Sequence, residues 1–316
     1  MTSKNDGAYA QKRARLKRLA EQTLKALEDG SYTIPGSSVP RNLSVKIHRT
    51  EVDTKYYAPD DAVLAAWSTK AVQPADTSEQ TEFSILEIST IDGARFLANT
   101  VSSSGPSSKI CVLNFASATK PGGGFLNGAQ AQEESLARSS TLYCSLMTNT
   151  AQSFYTTHKR NSKGGYYTHA MVYSPNIVFF RDDDGAWTEP VEADVLTCAA
   201  VNAGAARKTL HGRVAGKGEE KKIEAAMRER MARILFLMQQ SDVKNLVLGS
   251  FGTGVFQNNI DTVARIWADL LAVEDAPFKT SFSRVVFAIL GTSTFDTFME
   301  TFNVHIQPTS ESTVER

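Results

Sequence analysis

Apolar and polar positions alternate along the chain in a way that divides it into helices and strands. Leu16, Leu19, Ala20, Thr23, Leu24 and Leu27 recur at helical spacing, so residues 11–29 predict an amphipathic helix that Gly30 ends. Residues 1–10 are polar and carry no periodic pattern, and residues 31–40 are rich in turn formers. Short strands are predicted at 44–48, 83–88, 110–115, 171–180, 195–200, 245–248 and 284–290. Helices are predicted at 60–67 (a single turn), 92–99, 130–146, 219–240, 260–271 and 294–302. In the longest of them Ile223, Met227, Met231, Ile234, Leu235 and Met238 face inward. Such alternation of strands and helices predicts an α/β domain with a mostly parallel or mixed sheet.

Bulk composition narrows the function. The 316 residues suffice for one large domain or two smaller ones, and 41% hydrophobic with 22% charged residues is ordinary for a globular chain. Lys plus Arg equals Asp plus Glu at 34 each, so no global field draws in a polyanion and any phosphate must be read locally. A direct nucleic-acid binder is disfavoured on that ground. The residues up to Ala20 are polar and basic, with no apolar core of a secretory signal, and no stretch is long enough to span a bilayer. A soluble intracellular protein, nuclear or cytoplasmic, is the expectation. Cys111, Cys144 and Cys198 are few, scattered and apolar in context, which fits reduced thiols. His48, His158, His169, His211 and His305 form no metal-binding pair, and no Gly-x-Ser-x-Gly elbow occurs, so carboxylate chemistry remains.

Two stretches carry that chemistry. After the strand ending near Phe115 come Ala116-Ser117, then Lys120-Pro121-Gly122-Gly123-Gly124, and after seven further residues Gln132-Glu133-Glu134. A loop at the carboxyl end of a strand is where α/β proteins bind ligands, and three glycines let a ligand lie against bare backbone. The two glutamates fall in the next helix's first turn; dipole compensation alone is the plain alternative. The second stretch, Gly249-Ser250-Phe251-Gly252-Thr253-Gly254-Val255-Phe256, joins a strand to a helix. Its Gly-x-Gly turn exposes backbone amides to an anion without Lys or Arg, although a simple tight turn reads the same way. No Walker lysine follows, and the spacing is not that of a dinucleotide fold. Asp182-Asp183-Asp184-Gly185 is read as a solvated turn in preference to a metal site, and Asn202 as a pocket residue or a turn cap.

Gly122-Gly123-Gly124 with Gln132-Glu133-Glu134 resembles the signature of poly(ADP-ribose) glycohydrolases. The wider match, from Asn114-Phe115-Ala116-Ser117 to Ser139-Ser140-Thr141-Leu142-Tyr143, is similar to their microbial branch. The resemblance implies a macrodomain-like three-layer α/β/α fold with a mixed central sheet. Residues 1–45 would be an N-terminal helical extension, 46–306 the catalytic domain and 307–316 a flexible tail. It implies hydrolysis of ribose–ribose bonds in poly(ADP-ribose), mainly from the chain end, reversing ADP-ribosylation of proteins without a cofactor or metal. A reader of ADP-ribose and a mono-ADP-ribosyl-protein hydrolase are the alternatives. By the same resemblance Glu134 is the general acid/base, and Glu133 and Asn114 hold the ribose hydroxyls. Gly122, Gly123, Gly124 and Gln132, together with Gly252, Thr253, Gly254, Val255 and Phe256, bind the ADP-ribose. Many relatives carry Cys where Thr253 stands, and Phe256 packs on the ligand or in the core.

Overall fold

A computed structural model describes residues 3–70, 80–102 and 109–307. The chain opens with helix α1 (Ser3–Asp29), a small ribbon of β1 (Ser31–Tyr32) and β2 (Arg41–Asn42), and α2 (Ser44–Asp53). Strand β3 (Lys55–Tyr57), the single turns α3 (Ala62–Ala65) and α4 (Trp67–Lys70), β4 (Glu82–Leu86), α5 (Thr90–Ser102) and β5 (Lys109–Phe115) follow. Next come α6 (Gln132–Ser139), α7 (Leu142–Leu146), α8 (Asn149–Arg160), β6 (Met171–Arg181) and β7 (Trp187–Cys198). The chain closes with α9 (Ala203–Lys208), α10 (Leu210–Ala215), α11 (Lys217–Gln240), β8 (Val243–Leu248), α12 (Ile260–Leu271), β9 (Arg284–Ala288) and α13 (Thr292–Ile306).

Seven strands form one sheet in the order β3-β6-β7-β5-β8-β9-β4. The pairs β7·β5, β5·β8, β8·β9 and β9·β4 are parallel, whereas β6 runs antiparallel to both β7 and β3. The central strands are buried on both faces, and alternation sorts their side chains into two cores. Cys111, Leu113, Leu246, Leu248, Val285 and Phe287 point toward α11, α12 and α13. Ile110, Val112, Val247, Val286 and Ala288 point toward α5 to α8. Helices on both faces of a mixed sheet make the three-layer α/β/α architecture of the expectation. The inward positions named for α11 are all buried.

The differences have local causes. Residues 44–48 are helical, not extended, because Leu43, Ile47 and Thr50 bury one face at helical spacing and Asn42 Oδ1 accepts the Ser44 amide. Helix α1 already begins at Ser3, within the span read as unpatterned. The single helix expected at 130–146 breaks at Ser140 and Thr141. Ser140 is extended, its hydroxyl turns back to the Leu136 carbonyl, and Thr141 exchanges hydrogen bonds with Val178 of β6. Strand β7 starts earlier than expected because it folds back on β6 as an antiparallel hairpin. The short helices α8, α9 and α10 were not predicted, and residues 308–316 of the expected tail lie outside the described residues. No helix among the described residues is long and apolar enough to cross a membrane.

Candidate active site

Parallel pairing brings the ends of β4, β5, β8 and β9 to one edge of the sheet, and the loops leaving them enclose a cavity of ≈ 650 Å³. Its walls come from Ile88 to Ile91 after β4, the glycine loop after β5, Ser250 and residues 252–256 after β8, and Ala288 to Leu290 after β9. Both sequence motifs therefore meet across one space, although they are encoded far apart.

The glycine loop has a steric reason. Gly123 adopts φ +61°, and a Cβ there would stand 2.3 Å from Glu134 Oε1 and 3.1 Å from Glu133 Oε2. The bare α-carbon thus lets both carboxylates of the first turn of α6 lie against the loop. The Gly124 amide donates to Glu134 Oε1 at 2.8 Å, and the Ser117 amide donates to Glu133 Oε2 at 2.7 Å. The two groups differ in exposure: Glu133 is 3% exposed, and Glu134 is half-buried on the cavity wall. Burial raises the Glu133 carboxyl from its ordinary 4.5 to about 8, with the Glu134 charge adding and the Ser117 amide opposing. At neutral pH Glu133 is accordingly a protonated acid, able to donate as well as accept.

Gln132 also lines the cavity, but its amide is spent on the protein. Its Oε1 accepts from the Phe115 amide at 2.9 Å, and its Nε2 donates to the Leu113 carbonyl and Thr90 Oγ1. It fastens the N-terminus of α6 to the end of β5. Asn114, expected at the ligand, is fully buried and absent from the cavity wall. It shares the sheet face of Ile110 and Val112, beneath α6, and donates to Thr197 Oγ1 at 3.1 Å and Glu133 Oε1 at 3.5 Å. Its Oδ1 has no partner among the described residues. Gly122 likewise stands behind the wall, where a Cβ would strike the Phe125 ring at 2.9 Å.

On the opposite side Gly252, Thr253, Gly254, Val255 and Phe256 all line the cavity. Gly252 is fixed by fit: at φ +77°, a Cβ would meet Ala200 Cβ at 2.4 Å and Asn258 Nδ2 at 2.7 Å. Gly254 has nothing within 4 Å of that position, so its missing side chain leaves the cavity wall open. Phe256 does both things the sequence allowed, lining the cavity and leaning on Tyr167 at 5.9 Å beside the core. Asn202 lies away from the wall and caps α9 through the Ala205 amide.

Sequence reading missed several wall residues. Ser89 caps α5 through the Asp92 amide and bonds to Asp183, which brings an exposed carboxylate to the cavity from the acidic run. The neighbouring Asp182 closes its turn by accepting the Ala186 amide, as a turn residue does. Lys120 is the one cationic side chain on the wall among the described residues. Nothing in periodicity marks these positions; only the packing of separate loops reveals them. Helix α1 does not cover the cavity. It packs behind the glycine loop, with Ala20 against Phe125 and Ala137, Thr23 Oγ1 bonded to the Arg138 carbonyl, and Arg13 Nε to the Asn127 carbonyl at 2.8 Å.

The catalytic-domain model of microbial-type PARG, poly(ADP-ribose) glycohydrolase, matches residues 20–182. No curated protein matches the chain. Among solved structures, the poly(ADP-ribose) glycohydrolase of Thermomonospora curvata superposes with a TM-score of 0.79 at 32% identity, covering 93% of this chain and 100% of that one. The same enzyme bound to the inhibitor ADP-HPD gives 0.77 at 33% identity, over 92% and 99%. The Deinococcus radiodurans glycohydrolase in complex with ADP-ribose gives 0.69 at 29% identity, over 87% and 98%. On that match across half its length, and a likeness extending over nearly all of it, the chain belongs to the microbial-type poly(ADP-ribose) glycohydrolases.

Proposed function

We propose that this glycohydrolase removes ADP-ribose units from the free end of poly(ADP-ribose), with Glu134 as the single acid/base residue. The observation that carries the reading is the pair of carboxylates seated on Gly123, facing an amide-rich loop across one cavity. The cavity volume, ≈ 650 Å³, suits a nucleoside-diphosphate sugar. One solved relative is bound to ADP-ribose and another to the inhibitor ADP-HPD, which supports the choice of ligand.

The amides of residues 252–256 and the glycine loop hold the diphosphate. Ribose hydroxyls meet the protonated Glu133 carboxyl, which Asn114 orients from below; Asn114 acts through Glu133, not by touching the sugar. Glu134 serves as the proton donor when the bond breaks. As the glycosidic C–O bond breaks, its proton passes to the departing ribose oxygen, and the anomeric carbon becomes oxocarbenium-like. The diphosphate supplies counter-charge to that centre. A water then attacks the same carbon and gives its proton to the Glu134 carboxylate, which restores the acid. The bare α-carbon of Gly123 keeps Glu134 against the Gly124 amide, so that one oxygen is fixed and the other is available.

Glu134→Gln tests the reading on automodified polymer. Release of ADP-ribose should fall at least ~10³-fold while free ADP-ribose still binds within a few-fold of wild type. Near-normal turnover by that variant would remove Glu134 from the role. Chain-end action predicts monomeric ADP-ribose as the earliest product; early appearance of oligomers would instead mean cleavage within the polymer.

A further inference from the structure

Helix α1 is longer than the surface it packs on. Its buried stripe consists of Leu16, Ala20, Thr23 and Ala26, spaced three and four residues apart. The same stripe continues toward the N-terminus through Lys12 and Tyr9, and there it leaves the body: residues 7–15 are all exposed, Tyr9 by 70%. The helix is nevertheless held firmly at this point. The Arg13 carbonyl lies where a Cβ on Gly128 would fall, 2.2 Å away, and Arg15 donates to the Asp184 carbonyl at 2.6 Å. Both anchors adjoin the cavity, since Gly124 precedes the first in the same loop and Asp183 precedes the second. The overhang is thus a fixed projection beside the site.

Its charge is one-sided. Lys12, Arg13, Arg15, Lys17 and Arg18 occupy seven positions without an acid, in a chain whose net charge is zero. Arg15 is committed to the acidic turn of Asp182 to Asp184, and Arg13 to Asn127. Lys12, Lys17 and Arg18 have no carboxylate partner among the described residues, and all three are exposed. An exposed aromatic ring among unpaired cations is the chemistry that binds a chain of stacked bases joined by phosphates. The cavity wall, with Glu133, Glu134 and Asp183 against Lys120 alone, does not supply that charge itself.

Resting on the proposed polymer substrate, we infer that the overhanging turns of α1, with Lys17 just past them, form a secondary site for the part of poly(ADP-ribose) lying beyond the bond being cleaved. Tyr9 stacks on an adenine, and Lys12 and Lys17, on either side of its line along the helix, meet the diphosphates. The device holds the polymer between successive cleavages and favours long chains over short ones.

Two variants of the full chain test it: Tyr9→Ala, and Lys12→Gln/Lys17→Gln. None of these residues belongs to the cavity, so kcat/KM for a two-unit oligomer should stay as in wild type. For long polymer at low salt, KM should rise roughly tenfold in the tyrosine variant and roughly fivefold in the charge variant. The charge variant should also lose about one unit from the slope of log KM against log salt. A Lys→Arg version of the charge variant should retain wild-type behaviour. Unchanged KM on long polymer, in either variant with its melting temperature preserved, overturns the assignment. Should the cationic residues instead govern binding to duplex DNA with polymer KM unaffected, the surface is a nucleic-acid contact and the polymer site is wrong. A wild-type protein inert on polymer of any length would sink the proposed function, a result separable from all of these.

Discussion

At the scale of single residues, the site depends on two adjacent glutamates placed in unlike surroundings. Glu133 holds its proton up to about 8 because it is buried, and this links stability to pH. The folded state binds that proton more tightly than the unfolded chain does. Its contribution is therefore complete below pH 4.5 and lost as pH rises toward 8. One such group tilts stability by at most about 1.4 kcal/mol per pH unit inside that window. Glu133→Gln, which imitates the neutral acid, should flatten the fall of melting temperature between pH 5 and 8; an identical slope in the variant would mean that another group is responsible. The sequence identified both glutamates and the loop they lie on. It could not tell that the Asn114 side chain lies buried behind Glu133, because nothing in one strand's residue order tells which side of the sheet a polar residue serves until the helix above it is in place. It also missed Ser89, Lys120 and Asp183, whose function as wall residues exists only through tertiary contact.

Among elements, the strand-to-helix loops are the working parts, and their glycines are not equivalent. Gly252 is required by Ala200 and Asn258, whereas the Cβ position of Gly254 is vacant. Gly252→Ala should therefore cost about 1–3 kcal/mol of stability as well as binding, because a crowded position at positive φ must shift. Gly254→Ala should leave the melting temperature within a degree or so but weaken ADP-ribose binding, since its methyl group projects from the wall. Calorimetric titration and thermal melts of the pair separate the two roles; equal loss of stability in both would contradict the distinction. Element prediction succeeded where periodicity was strong, as in α11, α12 and the central strands. It failed at Ser44–Asp53, where a short apolar pattern suits helix and strand alike, and at Ser140, where pairing with β6 overrides a helical run. No glycine or proline marks that break.

For the whole molecule, zero net charge and a cavity with one cation among the described residues predict different salt responses for small and large ligands. Held chiefly by backbone amides, free ADP-ribose should lose less than about fivefold in affinity between 50 and 300 mM salt. A steep decline measured by titration would show that charged side chains dominate the pocket. The α/β alternation was legible because each central strand is apolar on both faces. The antiparallel pairing of β6 with β7 was not, because a buried hairpin strand and a buried parallel strand read alike.

The two grips arise from neighbouring strands, β5 and β8, that lie in opposite halves of the chain. During synthesis the glycine loop and both glutamates leave the ribosome while β8 and its loop are still unmade. A nascent chain halted before β8 carries both glutamates but lacks the loop that faces them across the cavity. Enzymatic competence therefore arrives only once β8 and its loop have been made, and termination before that point yields inert fragments instead of partially active ones.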